Sequence, residues 1–342
     1  MTPAPLPIAL TLGDPAGIGL EISLKAWQAL RRDPALCFFL LADPQHLQQR
    51  AVELGAGVGI TSIASPNEAP DCFATALPVL PLVNHVQARP GLPDPADAPA
   101  VIESIERAVA LARAGEVSCV ATNPIAKHVL YEAGFRHPGH TEFLAALCAD
   151  EGADDAAKPP RSVMMLWSEG LAVVPVTVHI PLAEVPAQLT RDLIVETGRI
   201  VAHDLRRRFR IDAPRLAIAG LNPHAGENGT MGREEVDVIA PAIAQLQAEG
   251  IDARGPYPGD TLFHARARAG FDAALCMYHD QALIPIKTIA FDEAVNVTLG
   301  LPFLRVSPDH GTAFDIAGKG VARPDSLIAA LRLGARLAAG KA

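Results

Sequence analysis

Short apolar runs alternate with longer amphipathic segments along the first part of the chain. The run PIALTLG precedes LEISLKAWQALRR, CFFLLAD precedes PQHLQQRAVEL, and VSCVATN precedes PIAKHVLYEAG. Apolar runs of this length are typical of buried strands, and the amphipathic segments are typical of helices. The alternation predicts β-α units on a largely parallel sheet, and therefore an α/β fold.

The second half of the chain predicts a mixed sheet. Two strand-like runs in RSVMMLWSEGLAVVPVTVHI are joined by Ser168-Glu169-Gly170, which indicates a hairpin. We predict a helix from Thr190 to Arg210, then a strand and loop in RLAIAGLNPHAGENG, then a helix that Gly250 closes. The Pro-rich piece 88–100 and the polar piece 151–161 are predicted loops or hinges.

Composition excludes several classes of protein. The chain has 342 residues, 49% hydrophobic and 20% charged, which is enough for two domains with sizeable cores. Its net charge of -9, with scattered Lys and Arg, argues against nucleic acid or an anionic membrane as partner. The N-terminus lacks a basic signal region and no apolar run reaches membrane-span length, so we expect a cytoplasmic protein. Five cysteines without a C-x-x-C pair suggest neither a disulfide framework nor a thiolate zinc site.

Three histidines follow predicted strands. His179 comes after VVPVTV, His224 after RLAIAGLNP, and His279 after AALCMY. Functional groups collect beyond the carboxyl ends of strands in open α/β sheets, so these imidazoles could converge on a divalent metal ion. Three separate histidines hydrogen-bonded in loops are the alternative, because no H-x-H or H-x-x-x-H pair is present. The spacing leaves both interpretations open.

Two further groups of residues suit an anionic ligand. In FRHPGHTE, His140 and Thr141 precede a helix predicted to begin near Glu142, where a hydroxyl and an imidazole could cradle a phosphate. Helix capping alone is the alternative. Lys287, Asn296 and Arg305 lie in an apolar region, where an isolated cation needs an anionic ligand or an ion pair, for instance with Asp292 or Glu293.

Two glycine-rich pieces suggest a nucleotide, although neither is a standard fingerprint. Gly13, Gly17 and Gly19 in TLGDPAGIGLEI follow a strand and open a helix, but they do not fit G-x-G-x-x-G. The piece DHGTAFDIAGKG precedes the C-terminal helix, and its Asp315 is placed to meet ribose hydroxyls. On composition alone, this piece is also consistent with a turn-rich loop.

Eight ordered sequence blocks carry a resemblance to a known family. They are GDPAGIGLEI, ATNPIAK, HPGHTEFLA, VTVHIPL, LNPHAGENG, YPGDTLF, MYHDQALIPIKT and VNVTLGLPFLRVSPDHGTAFDIAGKG. Over nearly the whole chain these blocks resemble the 4-hydroxythreonine-4-phosphate dehydrogenase (PdxA) family of vitamin B6 synthesis, which has an isocitrate/isopropylmalate dehydrogenase-like fold. The resemblance implies two α/β domains flanking a cleft: 1–135 with 300–342 as an outer domain carrying an NAD loop, and 136–299 as an inner domain carrying metal ligands and the dimer interface.

The same resemblance implies a role for each matching residue. One departure from the family is Leu20, where many relatives have Pro, and it affects helix entry more than chemistry. The implied metal ligands are His179, His224 and His279, with the third expected from the partner subunit of a homodimer. The implied substrate contacts are His140, Thr141, Lys287, Asn296 and Arg305. The implied cofactor contacts are His310, Gly311, Thr312 and Asp315, and the implied proton acceptor is Lys287 or Asp260.

The family's reaction is the expected function. It is the NAD-dependent, metal-assisted oxidation of a small phosphorylated hydroxy amino acid, 4-phosphooxy-L-threonine, followed by decarboxylation. NADP is the alternative to NAD, and zinc is the expected metal, with magnesium, cobalt or manganese as alternatives. A paralogue that oxidises a four-carbon sugar acid phosphate or a cyclic dihydrodiol is the nearest rival. A phosphate acyltransferase and a catalytically dead binding protein are rivals from other classes.

Overall fold

A computed structural model describes residues 6–137, 139–149 and 161–340 of the chain. These residues form two compact units. The first combines Met1–Ser162 with Leu301–Ala339, and the second is built from Val163–Gly300. The polar piece 151–161 lies outside the described residues except for Arg161, as does Pro138 of the HPGH motif.

The positions at which the chain crosses from one unit to the other differ from the predicted domain boundaries. The chain leaves the first unit at residue 162 and returns to it at 301, whereas the predicted boundaries are at 135/136 and 299/300. The contacts of residues 139–147 explain the first difference. Arg113 donates a hydrogen bond to the carbonyl of Leu147, and the Lys127 ammonium lies beside Gly139, so this segment packs on the first unit. The assignment of an outer and an inner domain stays a prediction.

A six-stranded parallel sheet forms the centre of the first unit. Its strands pair in the order β3-β4-β2-β1-β5-β12, and Ile8 of β1 lies opposite Phe38 of β2 and Cys119 of β5. β1 and β2 are buried along their whole length, as is typical of parallel strands with helices on both faces. The strands are β1 Ile8–Thr11, β2 Phe38–Ala42, β3 Ile60–Ser62, β4 Leu77–Pro81, β5 Cys119–Ala121 and β12 Arg305–Pro308.

Helices connect these strands as the alternating sequence pattern predicts. Asp43 caps the second helix by accepting hydrogen bonds from the amides of Gln45 (2.9 Å) and His46 (3.3 Å). The C-terminal helix packs on β5 and β12, so both chain ends complete one core. The helices are α1 Gly19–Leu30, α2 Pro44–Glu53, α3 Ala69–Cys72, α4 Ala98–Arg113, α5 Lys127–Glu132, α6 His140–Ala146 and α13 Asp325–Ala338.

The strands of the second unit form a mixed array, as predicted. They run in the order β11-β6-β7-β10-β8-β9, with β11–β6 and β6–β7 antiparallel and the remaining pairs parallel. The predicted hairpin is confirmed, because Ser168 pairs with Leu171 across the turn at Glu169-Gly170. The strands are β6 Val163–Ser168, β7 Leu171–Pro175, β8 Arg215–Ala219, β9 Asp252–Tyr257, β10 Ala273–Cys276 and β11 Val295–Leu299.

The helices of the second unit also follow the predicted pattern. The hydroxyl of Thr190 accepts a hydrogen bond from the amide of Leu193 and caps the helix predicted to start there, which ends at Arg207 rather than Arg210. A π-helical turn, Glu235–Ile239, leads into the helix that stops before Gly250. The helices are α7 Val185–Gln188, α8 Arg191–Arg207, α9 Ala240–Ala248, α10 Gly259–Leu262, α11 Ala265–Arg268 and α12 His279–Ala290.

Two exclusions drawn from the sequence can be compared with the structure. All five cysteines are free thiols, so the chain has no disulfide framework. No described helix combines the length and the apolar character that crossing a lipid bilayer requires.

Candidate active site

Three neighbouring parallel strands of the second unit end at one edge, and each leads to one of the predicted histidines. β10 lies between β7 and β8 and is parallel to both. His179 follows β7, His279 follows β10 and His224 follows β8. The carboxyl ends of adjacent parallel strands are where α/β proteins gather functional groups. The strand order therefore directs all three loops to the same edge.

The rings of His179 and His279 lie side by side, with their centroids 5.6 Å apart. His179 is not at the end of a strand as predicted. β7 stops at Pro175, four residues earlier, and His179 adopts a left-handed conformation with φ 54°. The Val176 amide donates to the Cys276 carbonyl (2.8 Å) and keeps the intervening segment beside the end of β10. These contacts place His179 next to His279.

His279 is oriented by its neighbour in the sequence. It is the first residue of α12, and its Nδ1 lies 2.7 Å from Oδ1 of Asp280. A carboxylate on Nδ1 holds the proton there and leaves Nε2 with a lone pair, the tautomer that a metal-binding histidine needs. The arrangement suits a ligand to a cation.

His224 lies on an unusual loop after β8. Five successive residues, 224 to 228, have positive φ between 41° and 75°. Only one of the five is glycine, so four side chains stand in a backbone region that non-glycine residues rarely occupy. Local strain of this kind persists where surrounding contacts enforce it and is common at functional sites.

Glu235 holds the residues that lead into this loop. Its buried carboxylate accepts hydrogen bonds from the amides of Leu221 (2.8 Å) and Asn222 (2.7 Å) and from the side-chain amide of Asn222 (2.9 Å). Gly226 leaves room for it, since a Cβ there would lie 2.5 Å from Glu235 Oε2. Sequence reasoning missed Glu235, and its only signal is an acidic pair just after the glycine-rich loop.

Gln281 links the ends of β8 and β10. Its side-chain amide donates to the carbonyl of Gly220 (2.7 Å) and its side-chain oxygen accepts from the amide of Met277 (2.7 Å). Within residues 6–137, 139–149 and 161–340, no group of three or more His, Cys, Asp or Glu side chains is arranged to hold a metal ion. The chain thus brings two of the predicted ligands together and carries the third on the adjacent loop.

The other predicted residues of the second unit have different environments. Lys287 is half-buried on α12, two turns after His279, with its Nζ 5.7 Å from the Phe291 ring centroid. Asn296 lies on β11, and its buried Oδ1 has no hydrogen-bond partner among the described residues. Asp260 is exposed on α10.

Arg305 and His140 form a basic cluster in the first unit. Arg305 is 4% exposed and donates to the hydroxyl of Thr122 (2.6 Å). Burial lowers the pKa of Arg305 to about 10, so the guanidinium stays charged at neutral pH. Burial, together with the positive charges of Arg305 and Lys127, holds the pKa of His140 well below its usual value. The cluster therefore combines two cations with a neutral imidazole.

Within this cluster, His140 has an unused hydrogen-bonding atom. Its Nε2 is buried and has no hydrogen-bond partner among the described residues. α6 begins at His140, earlier than predicted, and Gly139 rather than Thr141 occupies its N-cap position. The other histidine of the FRHPGHTE segment, His137, packs against the rings of Phe135 and Phe143, with centroid distances of 5.2 and 4.9 Å. Lys127 was missed as a site residue, although it belongs to the block ATNPIAK.

The two glycine-rich pieces of the first unit contact each other. The amide of Ile18 donates to the carbonyl of Thr312 (3.0 Å), and a Cβ on Gly17 would lie 2.8 Å from that oxygen. Gly17 is therefore needed for close approach to the second piece. Gly311 and Asp315 are exposed, and the buried Nε2 of His310 has no hydrogen-bond partner among the described residues. Exposed backbone groups and an imidazole nitrogen without a partner can both form hydrogen bonds with a bound dinucleotide.

Asp14 is a perturbed acid in the same region that sequence reasoning also missed. It is 5% exposed, and burial raises its pKa to about 6, although a hydrogen bond from the Ala16 amide (3.0 Å) opposes the shift. Its backbone amide donates to the carbonyl of Pro124 (2.8 Å).

Known proteins with similar sequences and structures include several 4-hydroxythreonine-4-phosphate dehydrogenases. A family model described as Pyridoxal phosphate biosynthetic protein PdxA matches residues 35–334. A 4-hydroxythreonine-4-phosphate dehydrogenase of Methylorubrum populi is 63% identical over 334 residues, covering 97% of this chain and 94% of that protein. One from Bradyrhizobium diazoefficiens is 57% identical, with 98% of each chain covered. The crystal structure of the Klebsiella pneumoniae 4-hydroxythreonine-4-phosphate dehydrogenase is similar with a TM-score of 0.85 and 37% identity, covering 97% of this chain and 99% of that one.

Proposed function

The chain belongs to the family of the pyridoxal phosphate biosynthetic protein PdxA, and from this membership we propose its reaction and site residues. It is an enzyme of pyridoxal phosphate biosynthesis, a 4-hydroxythreonine-4-phosphate dehydrogenase. The observation that carries the assignment of the site is the edge of β7, β10 and β8, where three parallel strands lead to His179, His279 and His224.

The reaction oxidises the C3 hydroxyl of 4-phosphooxy-L-threonine. C3 loses a hydride and its hydroxyl loses a proton, giving a 3-oxo acid. That acid loses carbon dioxide to yield 3-amino-2-oxopropyl phosphate. When bound, the nicotinamide accepts the hydride and the metal ion stabilises the charge that develops on the substrate oxygen.

His179, His224 and His279 are the proposed metal ligands. The fit rests on the adjacent rings of His179 and His279 and on the Asp280 carboxylate that orients the latter. Neutral imidazoles suit zinc best, while a site completed by substrate oxygens would also accept magnesium, cobalt or manganese. Metal analysis of purified protein should find a divalent ion in the wild type and much less in His179→Ala. Equal metal content in both proteins would contradict the assignment.

The cofactor is proposed to be NAD, with NADP as the alternative. His310, Gly311, Thr312 and Asp315 are the proposed contacts. Their fit rests on the exposed backbone of the loop and the unsatisfied Nε2 of His310. Asp315 is exposed, and a carboxylate there can accept hydrogen bonds from ribose hydroxyls.

Arg305, His140 and Thr141 are proposed to bind an anionic group of the substrate. Arg305 supplies a fixed charge, and the neutral His140 supplies a hydrogen bond through its unsatisfied Nε2. Lys127 adds a second positive charge near His140. Charge-assisted hydrogen bonds of this kind orient phosphate and carboxylate groups.

Lys287 and Asn296 are the proposed substrate contacts of the second unit. Lys287 or Asp260 takes the hydroxyl proton. Replacing the proton acceptor lowers kcat and removes one limb of its pH dependence, whereas replacing a binding residue raises KM. Comparing Lys287→Met with Asp260→Asn in pH profiles of kcat therefore identifies the base.

The enzyme is further proposed to be a cytoplasmic homodimer whose partner subunit completes the metal site. Ile284 of α12 (65% exposed) and Phe291, the residue that follows α12 (73% exposed), present apolar side chains to solvent. Apolar side chains exposed on a helix mark a candidate subunit interface. Light scattering should give a dimer mass for the wild type and a monomer mass for Ile284→Asp/Phe291→Asp. A wild-type monomer would contradict the proposal.

A substrate panel tests the function directly. NADH formation, followed by absorbance, should be fastest with 4-phosphooxy-L-threonine. The unphosphorylated compound should lose turnover as well as affinity, because binding energy from the phosphate serves the transition state. Preference for a four-carbon sugar acid phosphate or a cyclic dihydrodiol would instead assign the chain to a paralogue within the family.

A further inference from the structure

The start of α1 contacts the loop that follows β12 at two separate points. We define the cofactor loop as residues 309–322. At its near end, the Ile18 amide donates to the Thr312 carbonyl (3.0 Å). At its far end, Glu21 Oε1 accepts a hydrogen bond from the Ala322 amide (2.9 Å). The N-cap residue of α1 and the first turn of the helix thus bind the two ends of the loop.

Lys25 strengthens the attachment at the far end. Its ammonium donates to Glu21 Oε1 (2.9 Å), to the Gly320 carbonyl (2.9 Å) and to the Ala322 carbonyl (2.7 Å). An ammonium group has three N–H donors and no acceptor, so these contacts use its full capacity. Two of the three donors serve the loop rather than the helix.

The burial of Glu21 indicates that the pair is not ordinary helix surface. Its side chain is 1% exposed, and that of Lys25 is 29% exposed. A buried carboxylate is costly unless it is paired and hydrogen-bonded. By contrast, the i,i+4 pair Arg233–Asp237 is 66% and 51% exposed. Of its two oxygens, Oε1 is paired with Lys25 and accepts from the Ala322 amide, about 300 positions away in the sequence, while the buried Oε2 has no hydrogen-bond partner among the described residues.

The cofactor loop needs such attachments because its own backbone contacts are few. Ala313, Gly318 and Gly320 have left-handed conformations, with φ of 45°, 74° and 72°. Its internal bonds, such as that from the Lys319 amide to the Ile316 carbonyl (3.2 Å), form successive turns but no helix or strand. A segment without a helix or strand samples other conformations unless neighbouring elements fix it.

We propose that Glu21 and Lys25 are positioning residues for dinucleotide binding. By fixing residues 320–322, they keep His310, Gly311, Thr312 and Asp315 in the arrangement that receives the cofactor. This inference rests on the proposed role of the loop. Loosening the far end lowers the fraction of molecules in the competent conformation, and the apparent affinity falls by the same factor.

The test is the affinity of Lys25→Met for NAD⁺ alone, measured by calorimetry without substrate. The Kd for NAD⁺ should rise about ten-fold as the competent fraction falls. Hydrogen exchange followed by mass spectrometry should be faster in peptides that cover residues 316–322. The KM for the phosphorylated substrate should stay within about two-fold of the wild type, because uniform loss of folding would move both constants.

Arg107→Met is the matched control. Arg107 also forms an i,i+4 pair, with Glu103 (3.1 Å), and donates to a backbone carbonyl, that of Pro81 (2.6 Å). It lies in the same unit on α4. Its removal should leave the Kd for NAD⁺ and the exchange of 316–322 unchanged. Equal weakening of NAD⁺ binding by both variants would overturn the inference.

Two further variants keep the test decisive. Lys25→Arg retains donors and charge and should recover most of the affinity. If Lys25→Met fails to fold, Glu21→Gln/Lys25→Met removes the buried charge together with its partner and should show the same loss. If the wild type binds NAD⁺ and these variants bind it with the same Kd, the positioning role is rejected and the cofactor assignment stands. Absence of NAD⁺ binding in the wild type would reject the cofactor assignment as well.

Discussion

Asp14 shows how burial sets the properties of a single residue. Its pKa is raised by burial to about 6 from 3.8, so the folded protein retains the proton up to a higher pH than the unfolded chain does. Between these two pH values the folded state holds a proton that the unfolded chain has released. The contribution of Asp14 to stability is therefore present at low pH and is lost as pH rises through this window.

Asp14→Asn should stabilise the protein at neutral pH. A pKa difference of about two units corresponds to up to about 3 kcal/mol at pH 7.5, and the gain should vanish below about pH 4. Urea unfolding at both pH values measures it. Asp33→Asn is the control, since Asp33 also accepts an i+2 amide hydrogen bond, from Ala35 (3.0 Å), but is only half-buried. Equal gains in both variants at pH 7.5 would rule out burial as the cause.

His140 should make stability depend on pH with the opposite sign. Burial and the charges of Arg305 and Lys127 hold its pKa well below 6.5, so the folded protein keeps it neutral. Below pH 6.5 the unfolded chain binds a proton that the folded protein does not. The free energy of unfolding therefore decreases as the pH is lowered. In His140→Gln, the loss of stability between pH 7.5 and 5.5 should be smaller by about 1 kcal/mol. Urea titrations that give equal losses in both proteins would disprove a neutral His140.

At single positions, functional residues can be predicted from the sequence when their chemical type is rare in its surroundings. Histidines after strands and cations in apolar segments stand out, and His179 and His279 do lie together. Glu235 and Lys127 do not stand out, because they belong to stretches that resemble ordinary helix surface. Their roles come from contacts with segments that only the folded chain brings near.

Among the elements, α8 and α9 depend on a close contact at Gly198. A Cβ there would lie 2.8 Å and 3.0 Å from the two methyl carbons of Leu246. Leu246 is fully buried and has little room to move. The glycine lowers the helix propensity of α8 and permits the two helices to approach closely.

Gly198→Ala should destabilise the protein despite improving helix propensity. The destabilisation from overpacking, about 1–3 kcal/mol, should exceed the stabilisation of about 1 kcal/mol from the higher helix propensity of alanine. The midpoint of chemical unfolding measures the net effect. In Gly198→Ala/Leu246→Ala the new methyl group partly fills the space left by the leucine, so the combined loss should be smaller than the sum of the two single losses. Strict additivity would show that the two side chains do not meet.

Most elements could be predicted because their patterns are local. The β6–β7 hairpin and the helix capped by Thr190 depend on neighbouring residues, and both are found. The end of β7 was mispredicted because the apolar run continues to Val178 beyond the last paired residue, Pro175. Val176 and Thr177 lie beyond the paired strand, and their amides donate hydrogen bonds to the carbonyls of residues 276 and 277.

For the whole molecule, the consequential feature is that both ends of the chain build the first unit. β12 pairs with β5, and α13 packs against both strands. Gly334 permits this packing, since a Cβ there would lie 3.1 Å from Cys119 Sγ. The α/β class and the use of both ends follow from the sequence and its resemblance. The passage at residues 162/163 does not, because it depends on where residues 139–147 pack.

A chain truncated after Gly300 should lose the first unit. Removing β12 and α13 exposes one edge of β5 and the apolar surface that α13 covers. Expression should therefore give mainly insoluble protein, measured by comparing soluble and pelleted fractions. Truncation after Ala339, which keeps β12 and α13, is the control and should remain in the soluble fraction. Comparable solubility of the two truncated chains would show that the C-terminal segment is dispensable.

The discontinuity of the first unit also sets the order in which the two units are completed during translation. The ribosome delivers β1 before Val163–Gly300 and β12 after it. The first unit therefore begins before the second and is completed after it, and one edge of β5 stays unpaired until β12 leaves the exit tunnel. Chaperone contacts on the nascent chain should concentrate at that edge.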